Sequence, residues 1–438
     1  MDNLSILINK KPKKIYREKP LFPNWVYGLF FVFSAYMTIP FIDIPLIGLS
    51  LSAPLFFFIA FFAIFKSPIN WFRTHKSWII LAIFIWLGSF ISVSLNGLLS
   101  GGVRINSDGL LSIIRIAYWL LIFVVTIYIT GQLTIITKTT KILGMMVFIL
   151  GLLRWIEVFQ FGSLITWSAP RWMSQNSYGF LFSIFSPFLL VSSMQNRGWK
   201  RIFYGVALLI LWGAIVLNGS RGSWISLIVG LIILLVFLFI THVRKFLGVF
   251  IGLSFLLGTV FVVIVGIPQI SDAITARFDT LISLEQDKSY VTRQVMNQKA
   301  IRLFMDSPLI GVGLSRFRLT SIELDVPSLL SYVPLSVFDA KSAHNSYLAH
   351  LAETGVVGSL PFAILLLVLF IEGFFHTKWL LKHDQFWALA IFLSFVQMSV
   401  HMWVISALFN SGTWFIYGLT GAMIMISAKL KTNNEFSR

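Results

Sequence analysis

Long apolar runs alternate with short polar connections along most of this chain. Most runs are close to the roughly 20 residues that a helix needs to cross a hydrocarbon core. The pattern predicts twelve membrane-spanning helices, with one wide polar gap after the ninth. The predicted spans are 24–42, 46–65, 77–95, 109–130, 142–161, 176–195, 202–218, 223–241, 246–267, 347–375, 385–405 and 411–428.

The runs favour helices over strands, because a membrane barrel would show alternating segments of about 10 residues. A helix also satisfies its own backbone hydrogen bonds in lipid. Composition agrees, since 57% of the residues are hydrophobic and only 12% are charged, against about 25% charged in a soluble domain. There is no cysteine, which excludes disulfides and thiolate chemistry.

Basic residues set the orientation, because Lys and Arg concentrate in cytoplasmic connections. If the N-terminal tail is cytoplasmic, 21 of the 34 basic residues lie on the inner side. They are Lys10, Lys11, Lys13, Lys14, Arg17, Lys19, Lys66, Arg73, Lys76, Lys138, Lys141, Arg197, Lys200, Arg201, Arg244, Lys245, Lys378, Lys382, Lys429, Lys431 and Arg438. The short outer connections hold only Arg104, Arg171 and Arg221. The net charge of +17 therefore indicates contact with anionic lipid and not with nucleic acid.

This topology divides the chain into five parts. A cytoplasmic tail (1–23), which has no signal-peptide cleavage site, precedes spans one to nine (24–267). A large external loop (268–346), spans ten to twelve (347–428) and a second cytoplasmic tail (429–438) follow.

The external loop is predicted to be a folded cap, because acidic and basic residues balance within it. Its sequence predicts a helix from Ser289 to Met305 with Ser289 as the N-cap. A turn-rich stretch, Asp306-Ser307-Pro308-Leu309-Ile310-Gly311-Val312-Gly313, follows that helix.

Two polar residues at the outer boundary are candidates for chemistry. His344 lies where the loop returns to the membrane, and a neutral imidazole there suits a general base. The alternative is a histidine that only caps the next helix. Arg221 lies in a tight outer hairpin, Gly219-Ser220-Arg221-Gly222-Ser223, where its donors and a helix N-terminus suit phosphate. The alternative is an arginine that extends towards lipid headgroups.

Other charged residues favour structural roles. Arg293 and Arg302 lie on the predicted loop helix, where arginines are usually solvated. Arg154 and Glu157 are spaced to pair on one helix face. No cluster of His and carboxylate residues at helical spacing predicts a metal site on the outer face. The spacings Glu285-Gln-Asp287 and Glu323-Leu-Asp325 suit a divalent cation, but solvated turns explain them as well.

Three stretches together resemble the O-antigen ligase and O-antigen polymerase superfamily of bacterial membrane glycosyltransferases. They are Ser220-Arg221-Gly222-Ser223-Trp224; Arg293 with Asp306–Gly313; and Ala343-His344-Asn345-Ser346-Tyr347-Leu348 continuing through Glu353-Thr354-Gly355-Val356-Val357-Gly358. The resemblance covers residues 205–375. One departure is Met296, where the family often has Trp.

The resemblance implies an all-α, GT-C-like membrane protein of the bacterial inner membrane with a periplasmic active site. Its reaction would move a glycan from undecaprenyl diphosphate to an acceptor sugar hydroxyl, on lipid A-core in a ligase or on a second lipid-linked repeat in a polymerase. His344 would be the base, and Arg221 and Arg293 would bind the diphosphate. Asn345, Arg302 and Glu353 would support them, without metal or cofactor.

Two functions of other classes are alternatives. Some members of the superfamily have been described as solute or bicarbonate carriers, and buried charges such as Arg154 and Glu157 would suit a pathway. A receptor or scaffold would use the loop only to bind a partner. Charged residues that converge at the outer boundary favour the transferase, whereas a line of them through the bundle favours a transporter.

The sequence generates a prediction about metal dependence. We expect glycan transfer to persist in EDTA. Permanently charged arginines would stabilise the diphosphate leaving group in place of a divalent metal ion. Loss of transfer in EDTA that Mg²⁺ or Mn²⁺ restores would contradict this and would direct attention to the acidic pairs in the loop.

Overall fold

A computed structural model describes residues 20–38, 43–44, 49–50, 52–66, 68–99, 107–160, 175–266, 284–339, 341–408 and 410–432. Its helices are α1 (Asn24–Tyr36), α2 (Ala53–Lys66), α3 (Pro68–Leu99), α4 (Ser107–Thr130), α5 (Leu133–Gln160), α6 (Gln175–Gln195), α7 (Gly198–Asn218), α8 (Arg221–Thr241), α9 (Val243–Gly266), α10 (Lys288–Asp306), α11 (Leu335–Asp339), α12 (Ser346–Lys382), α13 (Trp387–His401) and α14 (Ser411–Thr432). Short 3-10 helices cover Leu284–Gln286 and Ser328–Leu330. Outside the described residues lie the predicted basic tail up to Lys19, Arg104, Arg171, the start of the predicted external loop (268–283) and Arg438.

The predicted helical fold is confirmed. A helix occupies each of the twelve positions predicted to span the membrane. In the described part of the chain, eight helices are long and apolar enough to cross a membrane, namely α3 to α8, α12 and α14. The total of twelve crossings stays a prediction. The described strands form one two-residue antiparallel pair, Asp43–Ile44 (β1) with Leu49–Ser50 (β2).

The bundle is built around α6, α13 and α14. Helix α13 packs against α6, α8 and α14, and α14 also packs against α4. Nearly every side chain of α13 is buried, whereas α8 keeps an exposed apolar face that includes Ile225, Ile228 and Ile232. An exposed apolar helix face is typical of contact with lipid.

Helix α12 is interrupted at Gly355, which adopts a non-helical conformation with φ of 60°. In an unbroken helix the N–H groups of Val356 and Val357 would donate to the carbonyls of Ala352 and Glu353. All four groups instead bond to the turn-rich stretch 308–313. The bonds are Val356 N–H to Pro308 O, Val357 N–H to Leu309 O, Val312 N–H to Ala352 O and Gly313 N–H to Glu353 O, each between 2.9 and 3.0 Å.

Glycines permit this insertion. A Cβ on Gly311 would collide with the backbone at Glu353, and a Cβ on Gly355 would collide with the backbone at Leu309. Helix α3 adds a further tie, because the Ser92 hydroxyl donates to the carbonyl of Ile310 at 2.6 Å. The second and third stretches noted in the sequence therefore form one backbone unit. We call this unit, residues 308–313 with 352–357, the helix-break insert.

The loop helix α10 starts one residue earlier than predicted, and the predicted N-cap was wrong. Asp287, and not Ser289, is the N-cap, since its carboxylate accepts from the N–H groups of Ser289 and Tyr290. An acidic cap also complements the positive end of the helix dipole. Met296 packs in a hydrophobic cluster of the loop that includes Phe317 and extends to Ala343.

The orientation can be tested on this cysteine-free chain. We expect Gln298→Cys, exposed on α10, to react with a membrane-impermeant maleimide from outside intact cells. Asp384→Cys, 76% exposed in the turn between α12 and α13, should react only after permeabilisation. The reverse labelling pattern would invert the proposed topology.

Candidate active site

His344 has an unusual backbone conformation. Its φ is 51°, in the left-handed region, which residues other than glycine seldom adopt. The alternative that His344 only caps the next helix is wrong. Asn345 is the N-cap of α12, and its side chain accepts from Tyr347 N–H and Leu348 N–H at 3.1 Å. His344 therefore precedes the N-terminus of α12, and Asn345 is the residue that caps this helix.

The segment of His344 is fixed to the connection between α13 and α14. Ser346 N–H donates to Met402 O at 2.9 Å, and its hydroxyl donates to Ile405 O at 2.6 Å. The same hydroxyl accepts from Ala407 N–H at 2.8 Å. These bonds leave His344 little freedom to move relative to that connection.

The surroundings of His344 keep its imidazole neutral near pH 7. Partial burial lowers its pKa, and the positive charges of Arg293, Lys341 and Arg318 lower it further. Each factor disfavours the imidazolium form. A histidine with this pKa can accept a proton over a wide range of pH.

Arg221 is the first residue of α8 and follows a tight turn. Gly219 ends α7 in the left-handed conformation, with φ of 66°. Gly222 has no room for a side chain, because a Cβ there would overlap Val404 and lie 3.2 Å from His401 Nε2. Close packing against α13 and its following connection thus explains the second glycine of the hairpin and fixes the position of Arg221.

Arg221 and Arg293 line one cavity of about 240 Å³. The hairpin supplies one side of it and α10 supplies the other. The lining residues are Asn176, Gly219, Ser220, Arg221, Gly222, Asp287, Ser289, Arg293 and Val404. The two arginines predicted to bind phosphate therefore come together, although 72 positions separate them. His344 is not among these lining residues, but it is close enough to Arg293 for that charge to lower its pKa.

Asp287 joins the two sides of the cavity. Its Oδ2 pairs with Arg221 Nη2 at 2.7 Å, and the two side chains are 10% and 11% exposed. Burial opposes ionisation, but hydrogen bonds from Tyr290 and Ser289 N–H and the charge of Arg221 outweigh it, so the pKa of Asp287 lies below its usual value. Asp287 is thus a helix N-cap and the partner of Arg221. The sequence had suggested only a solvated turn or a site for a divalent cation. The preference of aspartate for N-caps was the available signal.

The predicted supporting residues lie outside the residues that line the cavity. Arg302 is 44% exposed and pairs with Asp325 within the loop. Glu353 is buried, and its carboxylate accepts from Phe317 N–H at 3.2 Å, which ties the loop to the helix-break insert. Asn345 serves as a helix cap, so Asn345 and Glu353 support the structure around the site, whereas the ion pair of Arg302 lies within the loop.

His401 lies beneath the hairpin and is 1% exposed. Its Nδ1 is 3.3 Å from the hydroxyls of Ser183 and Ser226. Those hydroxyls already donate to backbone carbonyls of their own helices, which favours the tautomer with the proton on Nδ1. Nε2 then faces Gly222 as an acceptor, and the ring links α6, α8 and α13 below the cavity.

The predicted pair of Arg154 and Glu157 is confirmed as buried, with Nη1 2.7 Å from Oε2. Tyr178 is a third member, because its hydroxyl donates to Glu157 Oε1 at 2.7 Å. Tyr178 lies two residues beyond Asn176, a lining residue of the cavity. The two charges near the end of α5 therefore pair with each other and with Tyr178 near the start of α6.

Two comparisons with known proteins bear on this arrangement. A comparison with curated proteins found no match. The family model described as O-antigen ligase matches residues 206–363, which run from α7 into α12 and include Arg221, Arg293 and His344. Over this segment, the chain is similar to the O-antigen ligase family.

Proposed function

We propose that this chain is a membrane glycosyltransferase of the O-antigen ligase type. It would transfer a glycan from undecaprenyl diphosphate to an acceptor sugar hydroxyl at the outer face of the inner membrane. The observation that carries the proposal is the convergence of Arg221 and Arg293 on one cavity, beside the segment that holds a neutral His344.

The cavity suits a diphosphate in charge and in size. Two arginines and the N-terminus of α8 supply donors and positive potential. A volume of about 240 Å³ accommodates a diphosphate but not the sugar chain and the lipid as well. These parts of the donor would extend out of the cavity, the glycan beneath the loop and the polyprenyl chain towards lipid.

The exposed face of α8 offers a path for the polyprenyl chain. Ile225, Ile228 and Ile232 follow Arg221 at helical spacing and are 51–55% exposed. They form an apolar strip that begins one turn below the diphosphate cavity. A lipid anchored by its diphosphate at Arg221 would continue along this strip.

His344 would act as the general base in a single displacement. The acceptor oxygen attacks the anomeric carbon and gives its proton to His344 as it bonds. The bond from that carbon to the diphosphate oxygen breaks, and its electron pair leaves with the diphosphate, whose charge the arginines stabilise. One displacement of this kind inverts the anomeric configuration. We also propose that the helical bundle has a GT-C-like architecture.

The placement of charge favours the transferase over the transporter. Arg221, Arg293 and Asp287 converge between α8 and the loop helix, whereas Arg154 and Glu157 pair with each other. The backbone groups freed at Gly355 bond to the loop and are not left to coordinate an ion.

The glycan profile of a strain that lacks this chain tests the proposed function. Lipid-linked polymer that accumulates without reaching its final acceptor indicates a ligase. Products with a single repeat indicate a polymerase, the second candidate of the same superfamily. An unchanged glycan profile would refute both.

The roles of His344 and Arg221 generate a kinetic prediction. His344→Ala should lower turnover by roughly 10²–10⁴-fold, the usual range for a general base, with little change in donor binding. Arg221→Ala should impair donor binding as well as turnover, because it removes a charge-assisted contact. Arg221→Lys should restore activity only in part, since an ammonium lacks the guanidinium geometry.

These rates must be compared on protein that inserts and unfolds like the wild type. His350→Ala is a matched control, because His350 is buried against Phe362, apart from the cavity-lining residues. Normal turnover in His344→Ala would remove the proposed base.

A second prediction concerns pH. His344 acts when neutral, so activity should fall as the pH drops through its lowered pKa. Lys341→Gln removes a positive charge, so the pKa of His344 should rise and the acid limb of kcat/KM should move to higher pH. Lys378→Gln, in a cytoplasmic position, is the control. An acid limb that does not respond to Lys341→Gln would separate His344 from the titrating group.

A further inference from the structure

Among the residues that line the cavity, Asp287 is the acidic one, and the proposed reaction gives it no part. A carboxylate beside two arginines calls for explanation, because a site for an anionic diphosphate should exclude other anions. Its burial and its contacts therefore decide whether it opposes the donor or serves it.

Both oxygens of Asp287 are engaged. Oδ1 accepts from Ser289 N–H at 2.8 Å and from Tyr290 N–H at 3.0 Å. Oδ2 pairs with Arg221 Nη2 at 2.7 Å. The backbone of α10 thus fixes the carboxylate, and the carboxylate fixes the guanidinium of Arg221.

The same helix carries Arg293. Ser289 and Arg293 are four residues apart, so they share one face of α10, and both line the cavity. Arg221 belongs to the membrane hairpin, and Arg293 belongs to the loop. The ion pair of Asp287 and Arg221 is therefore a direct link between the elements that carry the two arginines.

We propose that Asp287 is a positioning residue for the diphosphate. It docks the loop helix on the hairpin and holds Arg221 so that both arginines act on one ligand. This inference rests on the proposed function, because it presupposes that the cavity takes a diphosphate.

A simple Coulomb argument predicts the opposite. Removing a negative charge from the cavity should attract an anion more strongly. The charge of Asp287 is, however, already compensated by the positive end of α10 and by Arg221. Without Asp287, Arg221 would lose the ion pair that ties its guanidinium to α10, the helix that carries Arg293. Loss of orientation therefore outweighs the relief of repulsion.

The test uses two variants that keep the helix cap. Asparagine and serine cap helices as well as aspartate does, but neither carries the negative charge that forms the ion pair with Arg221. We expect Asp287→Asn and Asp287→Ser to bind inorganic diphosphate roughly 10–100-fold more weakly than the wild type, the usual range for one charge-assisted hydrogen bond. Binding would be measured on the full chain in lipid nanodiscs, with thermal unfolding recorded in parallel.

A matched control is Asp325→Asn, which breaks an exposed ion pair with Arg302 in the same loop. It should bind diphosphate like the wild type. The double variant Arg221→Ala with Asp287→Asn should bind no more weakly than Arg221→Ala alone. Each of the two changes removes the same ion pair, so the second change has nothing further to remove.

The outcomes separate this inference from the proposed function. Unchanged or tighter diphosphate binding in either Asp287 variant, while Arg221→Ala binds weakly, overturns the positioning role alone. Tighter binding would identify Asp287 as a competing anion. Unchanged binding in Arg221→Ala would instead overturn the assignment of the cavity to the diphosphate.

Discussion

A break in a helix at the membrane boundary leaves backbone groups that must find partners, because an unsatisfied group in an apolar environment costs several kcal/mol. In α12 that break is at Gly355, and residues 308–313 bond to the four groups that it frees. The requirement attaches the loop that carries α10 to the bundle at this break. Everything that the loop contributes, including α10 and the segment of His344, is placed relative to that point.

The site follows from two attachments of the loop. The helix-break insert follows the C-terminus of α10 and fixes that end of the helix. The ion pair of Asp287 with Arg221 fixes its N-terminus. Between them, α10 places Arg293 at the cavity and near His344. Beneath the hairpin, His401 ties three membrane helices together through two serines. The arginines belong to separate elements, and buried polar contacts hold those elements in register.

Much of this arrangement could be predicted from local signals. Apolar length located a helix at each of twelve positions, and motif residues identified Arg221, Arg293 and His344. The break at Gly355 was harder to predict, because its sequence, Glu-Thr-Gly-Val-Val, sits inside an apolar run that suits one continuous span. Asp287 was misjudged for a related reason. Its cap role is local, but its partner lies 66 positions away in a hairpin that the sequence does not connect to it.

The sequence by itself determined where the long apolar helices lie and which residue types were available for chemistry. Hydropathy decides the former, because the transfer of about 20 apolar residues into lipid depends little on their neighbours. Tertiary structure alone decided that two arginines share a cavity, that Asn345 and not His344 caps α12, and that His401 lies below Gly222. These are relations between distant segments. They arise from the satisfaction of buried polar groups and from close packing, which act on the folded bundle and leave no periodic trace in the chain.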